Sequence, residues 1–246
     1  MKESDFEVIR FEDLIKWVLK NKKERYTDFL NLSSQKLLEK IIFPYKDIEY
    51  LFDGGFERAE RKIAIIYPNF IIPKEVPISA LRIMGNLDSL SHRDILGALL
   101  GLGIKRDKTG DIVLKDNLCD IIIHKDIESF VLMNLNKIGR ENIKISSIKL
   151  SDIMQPEMKY KDIFSTVASL RLDSITASGF NISRSKASQL IKSGSANVNW
   201  EYKDDPSYQI KENDIISLRG FGRIELKEVK GITRKGRISI HICRFI

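Results

Sequence analysis

Residues 169–192 are the stretch that most constrains the fold of this chain. Two short helical patterns lie back to back within it, and a strand pattern follows directly at 196–200. The second helical pattern starts at Ser183, a residue type whose hydroxyl caps helix N-termini. Its apolar residues recur at spacings of three and four, so one side of this helix is expected to pack inward. These residues are Ala187, Leu190 and Ile191.

The outward side of this second helix is basic. The N-terminus of a helix already favours anions, and Arg184 and Lys186 add two cationic groups to it. This combination predicts a phosphate site, and our first hypothesis is that the chain binds RNA. Asp173 in the preceding helix is acidic, so we expect it to orient a neighbouring arginine or to cap the backbone. The residues expected on the exposed side are Arg184, Ser185, Lys186, Gln189 and Lys192.

The positive charge of the chain is concentrated in its last third. Residues 161–246 contain 15 Lys and Arg against 9 Asp and Glu, whereas residues 1–160 contain 26 against 25. The last third therefore carries +6 of the overall net charge of +7, which localises contact with a polyanion to that segment. The alternative is that this mild basicity serves only solubility.

The cysteines and the hydropathy exclude several classes of protein. Cys119 and Cys243 are the only two cysteines and have no C-x-x-C spacing, which excludes a disulfide scaffold and a zinc knuckle. No apolar run approaches the roughly 18–20 residues that span a bilayer. The charged N-terminus lacks the apolar core of a signal peptide. We therefore expect a cytoplasmic protein that does not bind membranes.

The fold class is expected to be α+β, with three domains at 1–75, 76–160 and 161–246. The middle domain predicts the order β-α-β-β-α-β of the ferredoxin-like sandwich, which many RNA-recognition modules share. That fold hosts many activities, and its strand at 120–124 lacks the aromatic residues on which RNA-recognition motifs stack bases. Any RNA contact of this domain would therefore not use the usual sheet face. The predicted elements are strand 78–84, helix 91–102, strands 112–114 and 120–124, helix 126–138 and strand 143–150.

The first domain is expected to be mostly helical. Apolar residues at helical spacing over 11–18 indicate a first helix. A second helix is expected to begin with Ser33 or Ser34 as N-cap and to end before Pro44. The apolar run at 63–67 is typical of a strand.

A glycine-rich stretch in the middle domain does not predict nucleotide binding. Gly101-Leu102-Gly103 lacks the G-x-G-x-x-G register after a strand and the G-K-[ST] ending of a P-loop. A helix C-cap explains these glycines better. The loop that follows carries a modest basic patch and is a candidate for a secondary RNA contact. Its residues are Lys105, Arg106 and Lys108.

The flanks of the two-helix stretch are expected to be strands and turns. A short strand is predicted at 163–167, and turns at 204–207 and 211–214. A closing hairpin is expected between 224 and 243. The segment RGFGR at 219–223 places two arginines around an aromatic residue, with glycines that allow RNA to approach the backbone.

Taken together, these segments resemble the RNA-binding module called the S-four domain or alpha-L motif. With the upstream segments, the chain is similar to the bacterial YlmH family of RNA-binding proteins from the cell-division locus. The segments that carry the resemblance are RLD at 171–173, ISRSKASQLIKSG at 182–194, VNW at 198–200, RGFGR at 219–223, FERAER at 56–61 and LSHRDILGALLGLGIKRDKTGDIVL at 90–114. There is one departure, since Asn213 stands where the module usually has glycine in a turn. Asparagine tolerates the left-handed conformation, so we expect the turn to form.

The resemblance implies non-enzymatic binding of structured RNA, either ribosomal RNA or tRNA on the large ribosomal subunit. The expected role is translation quality control or a task linked to cell division, and we expect a monomer without a cofactor. No metal site is expected, because His92, His124 and His241 are isolated in the sequence. The RNA contacts that the resemblance implies are Arg171, Ser183, Arg184, Lys186, Gln189, Lys192 and Asn199, with Arg219 and Arg223 near the sheet.

Two other classes of function remain open on the sequence alone. An RNA-modifying enzyme similar to a pseudouridine synthase would use the same module for docking, and Arg171-Leu172-Asp173 superficially resembles a catalytic motif of such enzymes. A structural cell-division factor would use its basic charge on a protein or membrane surface. No basic amphipathic membrane helix supports that last class.

Overall fold

A computed structural model describes residues 3–115, 117–155 and 160–245. The chain divides into two compact units, residues 1–156 and 157–246, which we describe separately. Within the described residues, no helix is both long enough and apolar enough to span a membrane.

The N-terminal part of the first unit is a three-stranded antiparallel sheet with two helices. Strands β1 and β2 flank β3, and both α1 and α2 contribute apolar side chains to the core that they share with this sheet. Phe11, Ile15 and Val18 are buried in it, which confirms the helical pattern at 11–18. The elements are α1 (Glu3–Asn21), β1 (Arg25–Leu30), α2 (Leu32–Ile42), β2 (Ile48–Asp53) and β3 (Lys62–Pro68).

The sequence did not predict β1 or β2, and it placed the start of α2 too late. The N-cap of α2 is Asn31, whose side chain accepts a hydrogen bond from the Ser34 N–H, rather than Ser33 or Ser34. In β1 a polar residue, Thr27, is buried, and its hydroxyl oxygen accepts a hydrogen bond from the Ala64 N–H at 2.9 Å. A buried polar residue of this kind hides the apolar alternation by which a strand is recognised.

The second part of the first unit has the predicted ferredoxin-like order. The sheet order β5-β6-β4-β8-β7 is antiparallel throughout, with β4 at its centre between β6 and β8. The capping box at the start of α3 forms, because the Ser91 N–H donates to the Asp94 carboxylate at 2.8 Å. The elements are β4 (Ile78–Gly85), α3 (His92–Gly101), β5 (Thr109–Lys115), β6 (Leu118–His124), α4 (Glu128–Asn134), β7 (Lys137–Ile138) and β8 (Glu141–Ile148).

Helix α4 is shorter than the predicted helix 126–138. A single 3-10 turn precedes it at Lys125–Ile127, and the chain leaves the helix at Leu135 to form β7. A tight turn is expected near Asp116 and Asn117 between the predicted strands 112–114 and 120–124, and Asp116 lies outside the described residues, as do residues 156–159.

One face of the ferredoxin-like sheet packs on α3 and α4, and the opposite face is covered by the N-terminal sheet. Ile78, Ala80 and Ile122 share a core with Phe29 and Ile63. This contact is tight, because a Cβ added at Gly110 would lie only 2.8 Å from the Phe29 ring. The segments 1–75 and 76–160 therefore each contribute a sheet to one compact unit.

The second unit is a six-stranded antiparallel sheet with two helices packed on one face. The predicted strand 163–167 is confirmed and begins earlier, at Tyr160. It pairs with the last strand of the chain and forms the edge of the sheet in the order β11-β10-β12-β13-β14-β9. The elements are β9 (Tyr160–Val167), α5 (Leu172–Phe180), α6 (Arg184–Lys192), β10 (Ala196–Val198), β11 (Glu201–Tyr202), β12 (Ile215–Leu218), β13 (Gly222–Ile232) and β14 (Ile238–Phe245).

Two turns of this unit depend on left-handed backbone conformations. Asn213 has φ of 66°, which confirms that asparagine forms the turn where the module usually has glycine. The predicted strand 196–200 ends at Val198, since Asn199 and Trp200 have φ of 50° and 66° and form the two-residue turn of the β10–β11 hairpin.

Gly179 allows α5 to lie close to the sheet. An alanine Cβ there would lie 2.4 Å from Ile224 Cδ1 and 3.2 Å from its Cγ2, and Ile224 is itself buried in the core. Gly97 in the interior of α3 has no heavy atom within 4 Å of the same position.

We expect these two glycines to respond oppositely to alanine. Gly179→Ala should destabilise the second unit, since overpacking a core costs about 1–3 kcal/mol, which outweighs the ~1 kcal/mol that alanine gains in a helix. Gly97→Ala should stabilise the first unit by ~1 kcal/mol, because alanine favours the helix and its Cβ meets no neighbouring atom. Urea unfolding in a Trp17→Phe background, followed by Trp200 fluorescence, reports on the second unit. Trp17 fluorescence in a Trp200→Phe background reports on the first unit. Equal effects of the two substitutions would contradict the close approach of α5 to β13.

Candidate nucleic-acid interface

The carboxylate of Asp173 joins the N-terminal ends of α5 and α6. Arg184 donates two hydrogen bonds to it, each of 3.1 Å, and Arg171 donates two of 3.2 and 3.3 Å. The Asp173 side chain is only 7% exposed, whereas the Arg171 and Arg184 side chains are 36% and 49% exposed. The prediction that Asp173 orients a neighbouring arginine is thus confirmed, and it orients two.

The two arginines keep Asp173 charged. Burial by itself would raise the pKa of Asp173, but the hydrogen bonds from Arg184 and Arg171 outweigh burial and lower it below its ordinary value. Each guanidinium group has five N–H donors and places two bonds on this carboxylate, so donors remain for a phosphate.

Helix α6 presents the polar surface that the sequence predicted. Its N-cap Ser183 accepts a hydrogen bond from the Lys186 N–H at 3.2 Å, and Ala187 and Ile191 are buried beneath the helix. The opposite side of α6 is exposed to solvent. It carries Arg184, Ser185, Lys186, Gln189 and Lys192.

The side chain of Asn199 braces a turn within the protein. Its amide donates to Asp214 at 2.7 Å, and its carbonyl accepts from the Ile215 N–H at 3.0 Å. These bonds fasten the β10–β11 turn to the start of β12. The predicted RNA contact of Asn199 stays a prediction, and its side chain has this internal role in addition.

The two arginines of RGFGR lie in different places. Arg219 is exposed where β12 ends, and its N–H donates to the Ser195 carbonyl just beyond α6. Arg223 lies on the sheet face away from the helices, with its guanidinium 5.4 Å from the centre of the Phe245 ring. Between them Phe221 packs edge-on against Phe180 of α5, so the aromatic residue of this motif anchors the hairpin.

The basic patch of the first unit is largely occupied by internal contacts. Lys108 bridges Asp28 at 2.9 Å and Asp126 at 2.8 Å. Arg106 donates to the Thr109 carbonyl at 2.7 Å, and burial lowers its pKa. Lys105 is the exposed member of the patch.

His241 is isolated in the sequence but not in the fold. Its Nε2 lies 2.7 Å from the Asp162 carboxylate and 3.8 Å from Cys243 Sγ, on the sheet face away from the helices. The Cys243 thiol also lies 3.5 Å from Asp162, and burial, followed by its hydrogen bond to Asp162, raises its pKa. The three groups form a hydrogen-bonded cluster in which Asp162 is 79 residues from His241, so sequence spacing does not indicate the cluster.

Sequence reasoning also missed basic residues beside α5. Arg237 donates to the Thr166 hydroxyl at 3.1 Å and, with Arg184, lines a cavity of about 360 Å³ between β9 and α5. The sequence had assigned Arg237 only to the closing hairpin, because the pairing of β14 with β9 was not predicted.

A pair of short helices with a cationic second helix, packed on an antiparallel sheet, defines an S4-type RNA-binding protein. The family described as "S4 domain" matches residues 170–216, and the family described as "Putative RNA-binding domain in YlmH" matches residues 75–152. The ribosome-associated protein quality control protein P2 of Bacillus subtilis (strain 168) is 38% identical over 217 residues, which cover 87% of this chain and 84% of that protein. The chain belongs to the YlmH family.

A solved relative supports the fold. The structure of the cell division protein ylmH from Streptococcus pneumoniae matches with a TM-score of 0.57 at 22% identity. The match covers 63% of this chain and 97% of the other.

We expect Asp173→Asn to destabilise the second unit in a pH-dependent way. The depressed pKa of Asp173 means that its charge stabilises the fold above the pKa of the unfolded chain, and that this stabilisation is lost as the pH falls through the folded-state pKa. Because solvent screens the half-exposed arginines, the expected loss at about pH 7 is about 1–2 kcal/mol.

Urea unfolding of the wild-type and Asp173→Asn proteins at about pH 7 and about pH 3 measures this difference. The difference in the free energy of unfolding between the two proteins should become smaller at the lower pH, where the wild-type carboxylate also becomes neutral. Asp204→Asn, which removes an exposed carboxylate from a nearby turn, is the matched control. If this difference in the free energy of unfolding were the same at both pH values, the result would contradict a charged Asp173 between the two arginines.

Proposed function

We propose that this protein binds structured RNA of the ribosome, either ribosomal RNA or tRNA held on the large subunit, and acts there in translation quality control. The observation that carries the proposal is the exposed polar side of α6, whose Ser183 cap, Arg184, Lys186 and Lys192 lie on a helix fixed by Asp173. The name of the Bacillus subtilis relative, a ribosome-associated protein quality control protein, supports the ribosomal role. Such a role places the protein in the cytoplasm.

The surface suits phosphate more than it suits a particular base. Arginine and lysine side chains near a helix N-terminus hold phosphate oxygens through charge and hydrogen bonds, and such contacts carry no sequence information. Recognition of one RNA would then come from the shape in which its phosphates are arranged. Structured ribosomal RNA and tRNA provide fixed shapes of this kind.

The protein acts by binding rather than by catalysis in this proposal. The motif that superficially resembles that of a pseudouridine synthase includes Asp173, whose carboxylate accepts hydrogen bonds from two arginines and is almost buried. A carboxylate held in this way is suited to positioning α5 and α6. We propose accordingly that the module anchors RNA, and that the protein does so as a monomer.

We expect neutralising α6 to weaken binding to large ribosomal subunits about tenfold. Lys186→Gln with Lys192→Gln removes two exposed charges and leaves the Asp173 arrangement intact, and about tenfold corresponds to ~1.4 kcal/mol. Co-sedimentation of the full-length protein with purified large subunits measures the affinity. The matched control is Lys211→Gln with Lys227→Gln, which removes two exposed charges from the 211–214 turn and β13.

The outcome separates the alternatives. Equal binding by the α6 variant and the control would contradict the assigned surface. Wild-type protein that binds neither large subunits nor tRNA would contradict the function and would favour a protein partner in cell division.

Binding should also depend steeply on salt. The logarithm of the binding constant falls with the logarithm of the salt concentration in proportion to the phosphates contacted. Four contacts predict a loss of about 100-fold between about 50 and about 200 mM monovalent salt at fixed magnesium. A flat titration of the same co-sedimentation would contradict a phosphate-dominated interface.

A further inference from the structure

A groove runs between the edge strand β9 and helix α5 of the second unit. It consists of two cavities of about 360 and 350 Å³. Ser178 of α5 lines both cavities, and only residues of the second unit line either one. The groove extends along β9 from Lys161 to Val167, a distance of about 20 Å at the rise of an extended strand.

Each half of the groove carries two cationic side chains. Arg184 and Arg237 line the first cavity, and Lys161 and Arg244 line the second. One carboxylate, Asp162, lines the second cavity, and it accepts a hydrogen bond from His241. The cations therefore outnumber the acidic group along the whole length of the groove.

An unsatisfied hydroxyl lies where the two cavities meet. Within the described part of the chain, the buried Oγ of Ser178 has no hydrogen-bond partner. Buried polar atoms of a folded protein are nearly always paired. An anionic oxygen bound at this junction would give the Ser178 hydroxyl the acceptor that it lacks.

An exposed aromatic ring lies beside the second cavity, on the face of the edge strand β9 that is turned away from α5. Phe164 of β9 is 66% exposed, and it lines the same cavity as Lys161 and Arg244. Its ring stacks on His241 at a centroid distance of 4.5 Å, and the Lys230 ammonium lies 4.7 Å from its centre. Burying so large an apolar side chain would be favourable, so its exposure marks a contact surface.

We propose that this groove binds the backbone of a single-stranded RNA segment and that one of its bases turns around the edge strand β9 to stack on the exposed Phe164 ring. Proteins that hold single strands combine a cationic groove along the backbone with aromatic rings for the bases. The inference rests on the proposed function and deepens it. Because Arg184 belongs both to the groove and to the α6 surface, the single strand continues directly from the structured RNA that α6 holds.

The test compares two RNA probes with the full-length protein by fluorescence anisotropy. One probe is a labelled RNA hairpin with a blunt end, and the other is the same hairpin with a single-stranded uridine extension of about ten nucleotides, enough to follow the groove. Wild-type protein should bind the extended hairpin at least about fivefold more tightly. Lys161→Gln with Arg237→Gln, and separately Phe164→Ala, should each abolish most of this preference and leave the blunt-hairpin affinity unchanged.

Lys211→Gln with Lys227→Gln is the control for loss of charge and should keep the preference. Lys161, Phe164 and Arg237 are exposed, so the variants should fold, which circular dichroism and Trp200 fluorescence verify. Equal wild-type affinity for the two probes would overturn the groove proposal, as would an equal loss on both probes in the groove variants. Wild-type protein that binds neither probe nor large subunits would instead contradict the proposed function.

Discussion

The interaction on which the second unit depends is the carboxylate of Asp173 between two guanidinium groups. Removing this side chain from water is costly unless its charge is paired. Arg171 at the start of α5 and Arg184 at the start of α6 pair with it. The bond to Arg184 spans eleven residues and fixes the start of α6 relative to the start of α5. Because both arginines face a common partner, their remaining donors point outward from a constrained position.

This arrangement redistributes the charge that the sequence shows. Asp173 neutralises part of the charge of Arg171 and Arg184, so these two arginines act mainly as oriented donors. The less constrained positive charge lies on Lys186 and Lys192, which are exposed on α6. Directional hydrogen bonds and diffuse electrostatic attraction are thus provided by different side chains of one surface.

Local signals in the sequence predicted the parts of the fold that depend on neighbouring residues. The cap at Ser183, the buried stripe of α6 and the left-handed turn at Asn213 each involve residues within a few positions. The β-α-β-β-α-β order could also be predicted, because each of its helices and strands shows its own local pattern of apolar residues. Strand β1 could not, because its buried Thr27 finds its partner at Ala64, 37 residues away.

Long-range pairing explains what was missed at the site as well. The edge strand β9 and the last strand β14 pair from Val167–Ile238 to Tyr160–Phe245, so residues from both ends of this unit meet. That pairing brings Arg237 to Thr166 and His241 to Asp162, across 71 and 79 residues. The alternation of Val198 and Trp200 with asparagines predicts a strand, whereas Asn199 and Trp200 adopt positive φ and form a turn.

The sheet face that an RNA-recognition motif uses to bind RNA is covered in the first unit. In such motifs the sheet face opposite the helices stacks the bases, but here Phe29 and Ile63 of the N-terminal sheet cover that face. Arg61 links the two sheets, because its guanidinium donates hydrogen bonds to the carbonyls of Phe29 and Thr109. Burial, followed by repulsion from Arg106, lowers the pKa of Arg61 to about 10. Because this half-buried arginine donates its hydrogen bonds to carbonyl groups of the unit, it stabilises the fold and is not placed to attract phosphate. Since residues 1–160 carry a net charge of only +1, the proposed electrostatic attraction for RNA would come mainly from the second unit.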